Sequence, residues 1–269
     1  MARAKKLNLP LVSIVTPSYN QAQFIRQTLE SILRQGYPCI ECIVVDGGST
    51  DGTLKILKSY GKRVRWVSGK DSGQSNAINK GFRMAKGEII GWLNSDDTYE
   101  PGAVKAAVDY LQAHPEVGMV YSDCNIILED GRRNGLIRAP EFDMEKQLNY
   151  ANIPPQPTVF FRKEVFRKVG YLDESLHYVM DYDYWIRIGR KFKIKKIPGV
   201  LANFRVWGTS KTVGSQHRFW DELRSVSLKH GGKKWNRMYL FHFFRPINHY
   251  LFNSPLYGMI RQAYYYMRL

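Results

Sequence analysis

Four short apolar runs, Leu11 to Thr16, Ile40 to Val45, Val64 to Ser68 and Glu88 to Leu93, alternate with segments of helical spacing. Those segments are Ala22 to Leu33, with Phe24, Ile25, Leu29, Ile32 and Leu33 at helical intervals, then Thr53 to Tyr60 and Gln74 to Ala85. Such alternation leaves few architectures open. Strand, helix, strand in succession implies a mostly parallel sheet with right-handed crossovers and flanking helices, and it gathers the loops after the strands on one rim. A further helix, Ala103 to Ala113, and a strand, Val117 to Ser122, complete a first half of about residues 10–122.

From Asp123 the pattern changes. A hairpin is expected over Asn125 to Ile137, turning at Glu129-Asp130-Gly131, and Ile153-Pro154-Pro155-Gln156-Pro157 reads as a rigid extended segment. Phe160 and Phe161 lead into a helix from Lys163 to Val169. Leu176 to Tyr184, carrying Asp181 and Asp183, runs on into a helix at Trp185-Ile186-Arg187-Ile188. Asp181 and Asp183 are two apart and do not share a helical face, whereas Asp183 and Arg187 stand at i and i+4.

The rim is where charge collects. The fourth run ends in Asn94-Ser95-Asp96-Asp97, and two adjacent carboxylates cost free energy unless a cation shares them. Mg2+ or Mn2+, bringing a substrate phosphate, would suit such hard oxygens. Capping of the helix that starts near Pro101 explains the same acids equally well at this point. The second run ends in Asp46-Gly47-Gly48-Ser49-Thr50-Asp51-Gly52, which matches neither the dinucleotide nor the P-loop phosphate pattern. Tight turning with Ser49 or Asp51 as a cap accounts for most of it, but less well for the strand-terminal Asp46.

With 40 Lys and Arg against 24 Asp and Glu, the formal net charge is +16, which draws the protein toward polyanions or anionic surfaces. Neither zinc-finger spacing nor an aromatic RNA-binding signature is present, so nucleic acid is not expected as a partner. No run approaches the roughly 18 apolar residues of a spanning helix. The basic start Arg3-Ala4-Lys5-Lys6 precedes an apolar stretch too short for a signal-peptide core, and three cysteines do not make a disulfide framework. A cytoplasmic location follows, at most peripheral at the inner face of the membrane. Cys39-Ile40-Glu41-Cys42 has redox spacing but precedes a strand instead of opening a helix.

Taken in order, Thr16-Pro17-Ser18-Tyr19-Asn20, Val45-Asp46-Gly47-Gly48-Ser49-Thr50-Asp51-Gly52-Thr53, Asp71-x-Gly73-Gln74-Ser75-x-Ala77-Ile78-Asn79-x-Gly81, Asn94-Ser95-Asp96-Asp97 and Met180-Asp181-x-Asp183 make the chain resemble the family-2 glycosyltransferases over about residues 10–212. The resemblance implies a GT-A fold: one nucleotide-diphospho-sugar-binding α/β domain whose second half, about 123–212, builds the acceptor side. It also implies inverting transfer of a sugar from a nucleotide diphosphate, UDP favoured, to an acceptor hydroxyl of a polysaccharide or lipid-linked glycan. Mg2+ or Mn2+ would sit on the diphosphate.

Carried over position by position, Pro17, Tyr19 and Asn20 resemble the lip of the nucleotide site, and Asp46 the acid that meets the uracil ring. Asp71, Gly73, Gln74, Ser75 and Asn79 resemble the loop and helix start beside the donor. Asn94, Asp96 and Asp97 resemble the sugar-contacting and metal-ligating cluster, with the roles of the two acids undivided. Asp181 falls where the family carries its general base, and Gln156, Asp183 and Arg187 fall on the acceptor side. Arg205 and Lys211 resemble diphosphate contacts. The resemblance has two gaps: Met180 stands where an acid often precedes the base, and Trp207 where relatives commonly place a histidine near the metal. A non-catalytic nucleotide- or carbohydrate-binding module of the same fold is the rival reading.

Beyond Thr212 the likeness fades into a basic, aromatic extension, residues 213–269. Arg218, Lys233, Lys234, Arg245 and Arg261 interleave there with Trp235, Tyr239, Phe241, Phe244 and Tyr264. That composition suits an interfacial helix on anionic lipid, packing on the domain, or pairing with a second subunit.

Overall fold

The structure, a computed structural model, describes residues 9–151, 153–208 and 216–236. Its centre is β1 (Val12–Ser18), buried along its whole length because β2 (Ile40–Asp46) and β4 (Ile89–Trp92) pair with it in parallel on either side. A strand covered on both faces must be apolar almost continuously, as Val12, Ile14 and Val15 are. Adding β3 (Arg65–Ser68) outside β2 completes an all-parallel block in the order β3-β2-β1-β4.

Alternation along each strand divides the core in two. Val12, Ile14, Cys42, Val44 and Ile89 pack with helices α1 (Ile25–Leu33), α2 (Thr53–Ser59) and α4 (Ala103–Ala113). Val15, Ile43, Val45, Ile90 and Trp92 pack with α3 (Gln74–Met84), α6 (Glu164–Val169) and α7 (Met180–Gly189). These helices match the expected segments closely. At Gly81 the approach of α3 to β1 is so tight that a Cβ would land on Val15 Cγ1.

Beyond β4 the sheet continues through β8 (Phe160–Arg162), β6 (Val117–Ile127), β9 (Lys193–Arg205) and β5 (Thr98–Tyr99), with β7 (Arg133–Ile137) on β6. β8 is antiparallel to both neighbours, whereas β6 and β9 run parallel. The expected hairpin is β6–β7, closed by Gly131 N–H donating to the Leu128 carbonyl at 2.9 Å. β6 runs past the anticipated Ser122 because its polar residues find partners: Asn125 Nδ2 donates to Asn203 Oδ1 at 2.8 Å and to Glu100 Oε1 at 3.0 Å.

The helices α5 (Met144–Tyr150) and α8 (Gln216–Lys229) pack with α7 in a third, smaller core around Val179, Tyr182, Ile186, Leu223 and Val226. α8 and the residues after it up to 236 are the described part of the C-terminal extension. Lys211 and the basic and aromatic residues from Arg237 onward lie outside the described residues. Among the described residues no helix is long and apolar enough to cross a membrane. Cys42 is buried, and burial pushes its thiol up to about 12, which leaves Cys39 and Cys42 as unpaired core and flank residues.

Candidate active site

The carboxyl ends of β1, β2, β3, β4 and β9 open on one cleft of about 840 Å3, closed from the other side by the turn Gln156–Thr158 and the start of α7. Ligands of open α/β sheets bind at such an edge. Pro17, Tyr19, Asp71, Gly73, Gln74, Asn94, Asp96, Gln156, Asp181 and Arg205 all border it.

Where β1 and β2 end, two loops are tied together by their own side chains. Asn20, with φ of 51°, donates its N–H to Ser49 Oγ at 2.7 Å and accepts from Thr50 N–H at 2.9 Å. Asp46 is 1% exposed and accepts from Gly48 N–H, Ser49 N–H, Ser49 Oγ and Ser68 Oγ. Its oxygens are thus engaged within the fold, and Asp46, expected to meet a uracil ring, does not border the cleft. Asp51 accepts from Thr53 N–H at the start of α2, the cap anticipated for that loop. A Cβ at Gly47 would stand 2.8 Å from Asp71 Oδ2, so a side chain there would displace that carboxylate. Asp71 Oδ1 in turn accepts from Gly73 N–H, so the loop ahead of α3 is held by its own acid.

Ser75 and Asn79 point elsewhere. Ser75 Oγ donates to the Leu176 carbonyl, while Asn79 exchanges bonds with the Leu172 backbone and reaches Glu174. These bonds fasten α3 to the 172–176 segment that leads into α7.

Asn94 is the hub of the cleft floor. Its Oδ1 accepts from Gln74 Nε2 and Trp92 Nε1, both at 3.0 Å, and its Nδ2 donates to Gln156 Oε1 at 2.9 Å. The neighbouring acids part company. Asp96 borders the cleft, its Oδ2 accepting from the Trp207 indole N–H at 2.9 Å, and burial raises its pKa above the usual carboxylate range. Asp97, 1% exposed, turns inward and accepts from Arg205 N–H at 2.9 Å. Burial, then repulsion from Asp96, pushes it further up. Arg205 borders the cleft but is 1% exposed, and each guanidinium nitrogen donates within the protein: Nε to the Asp96 carbonyl, Nη1 to Leu128 and Glu129 carbonyls, Nη2 to Gln27 Oε1. Its cation is a structural clamp on the β4 and β6 loops.

Across the cleft, Asp181 sits in the first turn of α7 and accepts from its neighbour Tyr182 N–H at 2.8 Å. Asp183 lies behind it, 1% exposed, between Arg187 Nε at 2.7 Å and His230 Nε2 at 2.8 Å. Arg187 extends the network to the Val169 and Tyr171 carbonyls. Asp183 and Arg187 thus brace the helix that carries Asp181 and do not border the cleft.

The match to known families now has a site to attach to. Residues 13–170 fit the family model described as Glycosyl transferase family 2. The chain belongs to that family. An uncharacterized glycosyltransferase of Rickettsia prowazekii (strain Madrid E) is 31% identical over 230 residues, 82% of this glycosyltransferase and 72% of the relative. Chondroitin synthase of Escherichia coli is 32% identical over 210 residues, 76% of this chain but only 30% of that protein. Among solved structures, S. aureus TarS 1-349 in complex with UDP-GlcNAc superposes with a TM-score of 0.68 at 18% identity, covering 91% of this chain and 76% of that one. Mannosyltransferase PcManGT from Pyrobaculum calidifontis, in complex with GDP-Man and Mn2+, gives 0.66 at 21% identity, with 90% and 69% covered. The glycosyltransferase has the GT-A fold of these neighbours.

Several residues of its cleft escaped the sequence. Trp207 drew notice only as a missing histidine, yet it binds Asp96 and packs edge-on against Phe24 at 5.0 Å. Ser18 and Gln21 also line the cleft, and Ser18 Oγ and Gln21 Oε1 are buried with no hydrogen-bond partner among the described residues. A bound polar molecule would answer both; Ser18 falls within the Thr16-Pro17-Ser18-Tyr19-Asn20 motif without a role of its own, and no motif spacing flags Gln21.

Proposed function

We propose that this glycosyltransferase inverts configuration, moving a sugar from a nucleotide diphosphate to an acceptor hydroxyl of a growing polysaccharide or lipid-linked glycan. The observation that carries the reading is that Asp96 from the turn after β4 and Asp181 from α7 border one cleft. The chondroitin synthase relative favours a polysaccharide acceptor, and the solved neighbours hold donors of both uridine and guanosine type, with UDP our first choice.

Among the described residues no three His, Cys, Asp or Glu side chains form a ready metal cage. That agrees with a cation such as Mg2+, which keeps waters and takes one or two carboxylates plus substrate phosphates. Of the adjacent pair, Asp96 borders the cleft and Asp97 does not, so we assign Asp96 the metal and leave Asp97 in the fold. Bound there, Mg2+ or Mn2+ would offset charge on the departing diphosphate. The protein's own part is then clear. Asn94 and Gln74 hold the donor side, Trp207 orients Asp96, and Asp181 takes the proton from the acceptor hydroxyl. As that oxygen bonds to the anomeric carbon, the bond from carbon to phosphate oxygen breaks.

Two variants test this together. Asp181→Asn should cut transfer by about 10²- to 10⁴-fold, the usual worth of a general base, while nucleotide and Mn2+ still raise the melting temperature. Asp96→Asn should lose the Mn2+-dependent part of that rise. Full turnover in Asp181→Asn removes the base assignment. Failure of every nucleotide sugar to turn over, with stabilisation intact, leaves the non-catalytic binding module.

A further inference from the structure

The 177–179 segment immediately precedes the α7 turn that presents Asp181, and it has no regular secondary structure to fix it. His177 and Tyr178 border the cleft beside Asp181. Three consecutive backbone N–H groups in this segment converge on one side chain of α8. Glu222 Oε1 accepts from His177 N–H at 2.8 Å, and Oε2 accepts from Tyr178 N–H at 2.6 Å and Val179 N–H at 2.9 Å. Hydrogen bonds to a carboxylate are about twice as strong as neutral ones, and this anion also stands at the positive end of α7.

Docking of α8 does not require that arrangement. Leu223 and Val226 already bury against Val179, Tyr182 and Ile186, and Ser227 Oγ donates to the Leu148 carbonyl of α5 at 2.7 Å. Those contacts grip α5, the body of α7 and the side chain of Val179, but not the backbone N–H groups of the segment. Glu222 instead reaches ahead of α7 to the backbone that decides where its first turn begins. It also lies outside residues 13–170, the part matched by the family model.

We propose that Glu222 is a positioning residue for transfer: its carboxylate fixes the 177–179 backbone and through it holds Asp181 and Tyr178 at the acceptor side of the cleft. The inference rests on the function proposed above. Its chemistry is purely geometric, since Glu222 touches neither substrate nor proton. A reacting group displaced by about 1 Å loses on the order of 10²-fold in rate.

The test compares Glu222→Ala, Glu222→Gln and the control Ser227→Ala in the full-length protein. Hydrogen exchange should quicken at the 177–179 amides in Glu222→Ala and less so in Glu222→Gln, which keeps one accepting oxygen, and should stay slow in Ser227→Ala. The kcat for transfer should fall in the same order, by about 10²-fold in Glu222→Ala, with binding of UDP or GDP plus Mn2+ unchanged. Unaltered exchange at those amides, or a kcat loss no larger than that of Ser227→Ala, overturns the proposal. Absence of turnover in the wild-type protein would instead remove the proposed function, and the exchange measurement separates the two failures.

Discussion

Asp97 illustrates how one side chain of a family motif can lie behind the cleft that its neighbour borders. It is buried beside Asp96, and both burial and that neighbour favour its neutral form. The folded chain therefore holds this proton more tightly than the unfolded chain, whose Asp titrates near about 3.9. In the window between that value and the raised one the native state binds more protons, so stability falls as pH rises, by at most about 1.4 kcal/mol per pH unit for one group. Asp97→Asn keeps an oxygen for Arg205 N–H and removes the titration. Its melting temperature should gain on the wild type as pH climbs through the window, and parallel pH curves for the two proteins would refute the assignment. Residue roles of this kind were only half legible in the sequence. The acids of Asn94-Ser95-Asp96-Asp97 announced a charged rim, but which acid turns outward depends on Trp207 and Arg205, more than a hundred positions away.

Among the elements, legibility followed the range of the interactions. β1, β2, β4 and α1 to α4 emerged because their own apolar runs and stripes are what the core buries, whereas the edge strand β3 is mostly exposed, with Trp66 partly buried. β9 did not: Lys193-Ile194-Lys195-Lys196-Ile197-Pro198-Gly199 looks like a solvated loop until β6 pairs with it, and the two-residue β5 exists only against β9. The clasp of α8 on α7 joins Glu222 to residues some 45 positions earlier, a separation that local spacing cannot report. The packing of α3 on β1 gives this scale its prediction. Gly81→Ala gains about 1 kcal/mol of helix propensity, yet its methyl would collide with Val15, which is fully buried and stiff at χ1. Overpacking of that kind typically costs about 1–3 kcal/mol. The variant should therefore melt below the wild type, and because α3 opens beside Asp71 and Gln74, its nucleotide affinity should drop as well. A stabilised variant would mean that α3 can lift off β1 freely.

At the scale of the whole molecule the deciding quantity is the +16 charge, of which the acid-lined cleft uses little. Lys229 ends α8, Lys233, Lys234 and the 70% exposed Trp235 follow it in sequence, and beyond them arginines continue to interleave with aromatic rings. Each basic group near an anionic leaflet is worth about 1 kcal/mol, and aromatic side chains add apolar anchorage at the interface. A surface of this composition suits binding to an anionic leaflet. The protein should sediment with phosphatidylserine vesicles at low ionic strength and stay in solution with phosphatidylcholine vesicles. Salt should release it, because the Debye length shrinks from about 30 Å at 0.01 M to about 3 Å at 1 M. Replacing Lys229, Lys233 and Lys234 by Gln should weaken capture without altering donor affinity, since none of the three borders the cleft. Equal binding to both vesicle types, or capture indifferent to salt, would assign the positive charge to some other partner.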